Sequence, residues 1–391
     1  MGYGLTNHLL ALSGVVFLAG AVITSRRLPV LWALAIAFLR VFASLMYFAW
    51  YFDGQWSMLD DLSYFEQGNY LLQWGYSPLS IVTAEGRDAI AAHIDSSHIL
   101  YTWWNLLTMW TCGAYYYVPV MFNVLVTFGS AHLFAGLLEE IGFSKRYQRT
   151  LQVCYLLHWD TIAWSSLINL KDPLVQFFTI GFFLCAVRAV RRGSHWDLAL
   201  CCGIVAAFQL LRFYVPFLIG AAAAAWLFLE WRDVRKFPLL AGALLVGLWL
   251  LPGRAYQLFE SYSLIDVAYG ICRFTLTPQP WDLADSYTFL LLPATFHWLM
   301  FVPATVGGAM LWRDSRVARI VLLYAMGMIV MYALAEELQG VRQRFQLSFV
   351  FAWAQLHFLW RWIHTPASRA ATAPARAKPQ SPMRVAPVAG S

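Results

Sequence analysis

Two adjacent carboxylates, Asp60 and Asp61, open the stretch DDLSYFEQGNY and are the residues best suited to acid–base work. Neighbouring carboxylates raise one another's pKa, and burial raises it further. One of such a pair can take the proton of an incoming hydroxyl, or the pair can bind a metal. The same residues also suit a helix start, with Asp60 as the cap and Asp61 in the first turn. Asp61 begins a D-x-x-Y spacing to Tyr64, which makes it the expected base, with Asp60 tuning it. Tyr64 and Trp74 then offer rings against which a substrate can stack.

The basic residues that could answer an anion are Arg342 and Arg344, which flank Gln343 in GVRQRFQL, and Arg212 in FQLLRFYVPF, with Arg254 and Arg273 beside them. A guanidinium fork matches phosphate, so these five residues are candidate ligands for a lipid phosphate. Salt bridging of Arg342 and Arg344 to Glu336 and Glu337 is the competing expectation. Lys171 and Asp172 precede Pro173, a pattern that stops one helix and starts the next. They read equally as an interfacial cap and as substrate-binding residues. Arg40, His158 and Asp160 fall inside apolar runs, where ionisable groups are functional candidates by default.

The elements that must position these residues are apolar helices. The chain is 60% hydrophobic and only 12% charged, with a mean hydropathy of +0.57. A soluble surface needs roughly a quarter charged residues, so the bilayer is the expected solvent. The runs are continuously apolar, which excludes alternating membrane strands and implies an all-α bundle. Eleven spans are expected: 5–24, 29–52, 114–138, 150–168, 173–190, 195–211, 213–230, 237–253, 288–312, 317–335 and 345–363. Residues 99–112, with Trp103, Trp104 and Trp110, are too short to span and suit an interfacial helix. The chain thus reads as one bundle over 1–365 with two larger connectors, 53–113 and 254–287, expected to fold together. The tail 366–391, rich in Ala, Pro and Arg, is expected to be disordered. Arg26, Arg27, Lys145, Arg146, Arg149, Arg188, Arg191, Arg192, Arg232, Arg235, Lys236, Arg313, Arg316 and Arg319 gather in one set of connectors, and Arg361, Arg369, Arg376, Lys378 and Arg384 follow the last span. The positive-inside rule makes that set cytoplasmic, with the N-terminus outside and the C-terminus inside. The net charge of +6 therefore reads as membrane orientation rather than nucleic-acid binding. The six cysteines show no metal-type spacing, and no cleaved signal peptide or inverted repeat is expected.

On four places the sequence resembles the C-type polytopic membrane glycosyltransferases: DDLSY at 60–64, NLKDPL at 169–174, TPQPW at 277–281 and GVRQRFQL at 340–347. The resemblance implies inverting transfer of a sugar from a polyprenyl-phosphate donor on the outer, periplasmic face of the bacterial inner membrane. It assigns Asp61 or Asp60 as base and the basic residues to the lipid phosphate. The acceptor would be a glycan, lipid or protein of the cell envelope. No organic cofactor is implied, and Mg or Mn is a cation that the carboxylates could recruit. The apolar segment 5–24 ahead of the acidic pair, and the absence of a large soluble C-terminal domain, depart from common members. Alternative readings are a polysaccharide polymerase or ligase acting on lipid-linked glycans, and a lipid or solute transporter without chemistry.

Overall fold

The structure is a computed structural model that describes residues 2–53, 60–93, 98–230, 264–283, 290–334 and 341–364. The expected span 237–253, Arg254, Glu336, Glu337 and the tail 366–391 lie outside the described residues, as do parts of both larger connectors. Among the described residues every regular element is a helix. The first half contains α1 (Asn7–Ser25), α2 (Val30–Met46), α3 (Asp60–Gln73), α4 (Ala84–His93), α5 (Ile99–Cys112), α6 (Tyr117–Ile141), α7 (Lys145–Leu156), α8 (Trp159–Ser166) and α9 (Asp172–Arg192). The second half contains α10 (His195–Leu211), α11 (Val215–Glu230), α12 (Leu264–Leu276), α13 (Leu291–Asp314), α14 (Ala318–Ala333), α15 (Val341–Phe345) and α16 (Ser348–His364). A π-helical turn, Tyr47–Tyr51, prolongs α2.

Among the described residues five helical segments are long and apolar enough to cross a membrane: Asn7–Ser25, Val30–Tyr51, Tyr117–Ile141, Asp172–Arg192 and Leu291–Asp314. Large apolar side chains point outward along them, Val15, Leu18, Leu31, Trp32 and Leu299 among them. That surface suits a multi-pass membrane protein. The expected eleven spans are therefore not all present at full length. Helices α10 and α14 are apolar but hold 17 and 16 residues, and a 17-residue helix reaches only about 26 Å of a roughly 30 Å hydrocarbon core. The expected span 150–168 is two helices. His158 takes an extended backbone between α7 and α8, and its ring accepts a hydrogen bond from the Asp160 amide, which caps the second helix.

Helix α6 is the central post. It packs on α1, α9, α7 and α8, and both its faces are enclosed. Helices α13 and α16 lie against each other so closely that a Cβ on Gly307 would overlap the Ala354 carbonyl. Close approach through small residues is how helices associate where the hydrophobic effect is weak. Helix α5 does not span. It buries Tyr101, Thr102, Asn105 and Thr108 against α3 and α6, and leaves Trp110 exposed. The two ends of the post differ. Tyr116 and Tyr117 meet Asp61 and His8 at one end. Glu139 and Glu140 pair with Arg27, Arg188 and Arg192 at the other.

Candidate active site

The segment 169–172 is the hub of the first end, because each of its four residues faces a different partner. The Asn169 amide nitrogen donates to the Asp61 carbonyl at 3.2 Å and to Asn105 Oδ1 at 2.7 Å. Its Oδ1 accepts from the Tyr101 hydroxyl at 2.6 Å. The Leu170 carbonyl accepts from Asn123 of α6 at 3.0 Å. Lys171 Nζ donates to the Tyr64 hydroxyl at 2.6 Å. Asp172 Oδ1 accepts from Arg212 at 2.9 Å and from Gln346 at 2.8 Å, while Oδ2 faces Arg342 Nε at 3.4 Å. Asp172 and Pro173 start α9, as the sequence pattern implies.

Arg342 joins this hub to the open surface. Its Nη1 donates to Asp60 Oδ2 at 2.8 Å, and Asp60 is 52% exposed. The third nitrogen, Nη2, is enclosed and has no hydrogen-bond partner among the described residues. Burial disfavours the Arg342 charge, but Asp172 and then Asp60 outweigh it and raise its pKa. Lys171 fares differently. Burial first, then the Arg212 and Arg342 charges, pull its ammonium down to about 6 against the counter-pull of Asp172 and Asp60. Burial, Lys171 and Arg212 likewise hold His98 at about 4, and its Nδ1 lies 3.0 Å from the Leu211 carbonyl. Burial pushes the Tyr64 hydroxyl up.

Seven of the ten residues picked from sequence thus converge: Asp60, Asp61, Tyr64, Lys171, Asp172, Arg212 and Arg342. Within the acidic pair the two side chains differ. Asp61 is fully buried and accepts from the Tyr116 hydroxyl, whereas Asp60 reaches the surface. Tyr64 and Trp74 do not form one stacking wall. Tyr64 is buried against Tyr101 and His98, while Trp74 is exposed beside Tyr70, past the far end of α3. Arg273 is exposed in the last turn of α12, one residue before Phe274, whose ring stacks on Tyr332 at 5.1 Å.

Arg344 leaves the group. Two residues along α15 from Arg342, it is buried on a different side and donates to the Thr277 carbonyl. Its Nη2 stands 4.0 Å from Asp160, and both carboxylate oxygens of Asp160 lack hydrogen bonds among the described residues. His158 and His297 also lie near enough to feel the Arg344 charge. Helix α15 touches both larger connectors, Asp60 through Arg342 and Thr277 through Arg344. Arg40 is buried in α2, held by Ser165.

Sequence reading missed Tyr101, Asn105, Tyr116, Asn123, Asn169, Tyr332 and Gln346. Tyr332 accepts from Arg212 at 3.2 Å and from Gln346 at 3.1 Å. A signal existed for two of them, since Asn105 and Asn123 are amides inside otherwise apolar runs. Among the described residues no three His, Cys, Asp or Glu side chains come together as a metal centre would require. Compared with family models, curated proteins and solved structures, the chain matches none of them.

Proposed function

We propose that the chain is a membrane glycosyltransferase that moves a sugar from a polyprenyl-phosphate donor to an acceptor hydroxyl, with Asp60 as general base and Arg342 on the donor phosphate. The observation that carries this reading is the coupling of an exposed carboxylate to an arginine with one nitrogen enclosed and unpaired. Arg342 is fixed through Nε by Asp172 and through Nη1 by Asp60. An incoming phosphate oxygen would satisfy Nη2 and compete for Nη1, releasing the Asp60 carboxylate toward the acceptor. Asp60 then accepts the hydroxyl proton as the acceptor oxygen bonds to the anomeric carbon. The bond from that carbon to the phosphate oxygen breaks, its electron pair leaves with the polyprenyl phosphate, and configuration inverts. Arg342 stabilises the charge that develops on the leaving group. The base expected from the D-x-x-Y spacing was Asp61. Its burial and its bond to Tyr116 favour a positioning role, so Asp60 takes the chemistry here.

The reading puts this end of the bundle on the outer face of a cell membrane, because Arg26, Arg27, Lys145, Arg149, Arg188, Arg191 and Arg192 cluster at the opposite end. The test is transfer of a labelled sugar from its polyprenyl-phosphate carrier. Asp60→Asn should fold like the parent and lose about 10²-fold or more in turnover, the usual contribution of a general base. Arg342→Lys should weaken donor use, since an ammonium lacks the fork. Asp61→Asn should mainly lower the unfolding temperature. Parent-like turnover in both Asn variants and in Arg342→Lys would remove the assignment.

A further inference from the structure

At the arginine-rich end, between the loop after α1, the end of α6 and the start of α7, lies a cavity of about 210 Å³. Arg26, Arg27, Lys145 and Arg149 line it, with Glu139 as the single acid. Glu139 is already engaged, its Oε2 accepting from Arg27 at 2.8 Å. Arg149 is braced by its Nε bond to the Arg27 carbonyl at 3.0 Å. Three cationic charges therefore remain in excess around one small space.

A second observation points to a ligand. Gln152 lines the same cavity and is 1% exposed, yet among the described residues neither its amide nitrogen nor its oxygen has a hydrogen-bond partner. The Arg27 Nε is enclosed and unpartnered as well. Orphaned buried polar groups are destabilising, and a side chain as replaceable as glutamine is a poor choice for such a place unless something meets it. What fits must accept several charge-assisted hydrogen bonds and carry negative charge. We propose that this cavity binds a phosphate group, presented by an anionic lipid headgroup or by a free phosphate. The lipid is the favoured source, because the cavity sits where the spans Asn7–Ser25 and Tyr117–Ile141 end, which is headgroup depth. This site is at the opposite end of α6 from Asp60 and is independent of the transfer reaction proposed above.

The experiment uses the full chain in neutral detergent. Native mass spectrometry and thermal unfolding are followed on titration with phosphatidylglycerol, with phosphatidylcholine as the zwitterionic control, and separately with inorganic phosphate. Phosphatidylglycerol should bind and raise the unfolding temperature more than phosphatidylcholine does. The Arg26→Gln/Lys145→Gln variant should weaken binding about 30-fold at low salt, given the usual worth of two headgroup-level cations. Gln152→Leu keeps the volume and removes an unpaired amide. Without ligand it should unfold at the parent's temperature or above, and it should lose most of the ligand-induced stabilisation. A response to inorganic phosphate as well would make a free phosphate a ligand, and a response to phosphatidylglycerol alone would assign the headgroup. No response to either, or parent-like binding in both variants, overturns the proposal.

Discussion

Lys171 is a buried basic residue beside two other cations, Arg212 and Arg342, and its titration is the most direct residue-scale test of the site. Asp60, Asp172, Arg212, Arg342, Tyr64 and His98 surround it. Its ammonium titrates at about 6 in the folded chain against an ordinary 10.5. Between those values the unfolded chain holds a proton that the folded chain lacks, so raising the pH favours folding throughout the window and has no effect through this group below it. Unfolding of the parent and of Lys171→Met, compared at about pH 6.5 and 8.5, should show the parent gaining stability with pH more steeply. Equal slopes would mean that the amine stays charged in the fold. A neutral amine also explains how Lys171 tolerates Arg212 and Arg342 as neighbours without drawing Asp172 away from them.

At the scale of elements, the segment 169–172 ties α3, α5, α6, α10 and α15 to the start of α9. Asn169→Ala removes a donor from the Asp61 carbonyl and from Asn105, and an acceptor from Tyr101. Each buried orphan costs about 1–3 kcal/mol, so the loss should reach about 3 kcal/mol or more. Chemical unfolding in detergent measures it, and a loss below about 1 kcal/mol would show that the hub is dispensable. The spans were legible because continuous apolar runs register in any window. NLKD was legible because Lys-Asp-Pro marks a helix restart. The asparagine partners were not legible, because each stands alone in its run and its neighbours come from distant parts of the chain, which no local spacing can reveal. The break between α7 and α8 was hidden for a related reason. Hydropathy across 150–168 is unbroken, and His158 acts there through its ring as a cap, a role that no periodicity reports. Arg342 and Arg344 were expected to act together. The turn of a short helix sends residues two apart to different sides, and they meet different partners, Asp60 and Thr277.

For the whole molecule, the testable quantity is which end faces which compartment. In a cysteine-free background, Glu85→Cys in α4 should react with a membrane-impermeant maleimide added to intact cells. Lys145→Cys at the start of α7 should react only after permeabilisation. Both positions are exposed and belong to opposite ends of α6. The reverse pattern would invert the orientation and remove the outer-face setting of the transfer reaction. The charge asymmetry that motivates this expectation was readable from sequence alone. The pairing that neutralises part of it, Glu139 and Glu140 with Arg27, Arg188 and Arg192, needed the fold.

The ion pairs at Asp172 also decide how the chain could be divided. Gly193 follows α9 in a left-handed conformation at an exposed turn, so the backbone can be cut there with little packing lost. Asp172 then belongs to fragment 1–193, while Arg212, Gln346 and Arg342 belong to fragment 194–391. Co-expressed halves should find each other in the membrane and co-purify, with this buried cluster acting as a polar latch across the cut. Because the latch is enclosed, added salt should loosen it little. Asp172→Asn should weaken recovery of the second fragment with the first, while the same substitution in the uncut chain leaves the halves tethered. Complementation of the split chain would therefore read out the strength of the cluster without any substrate.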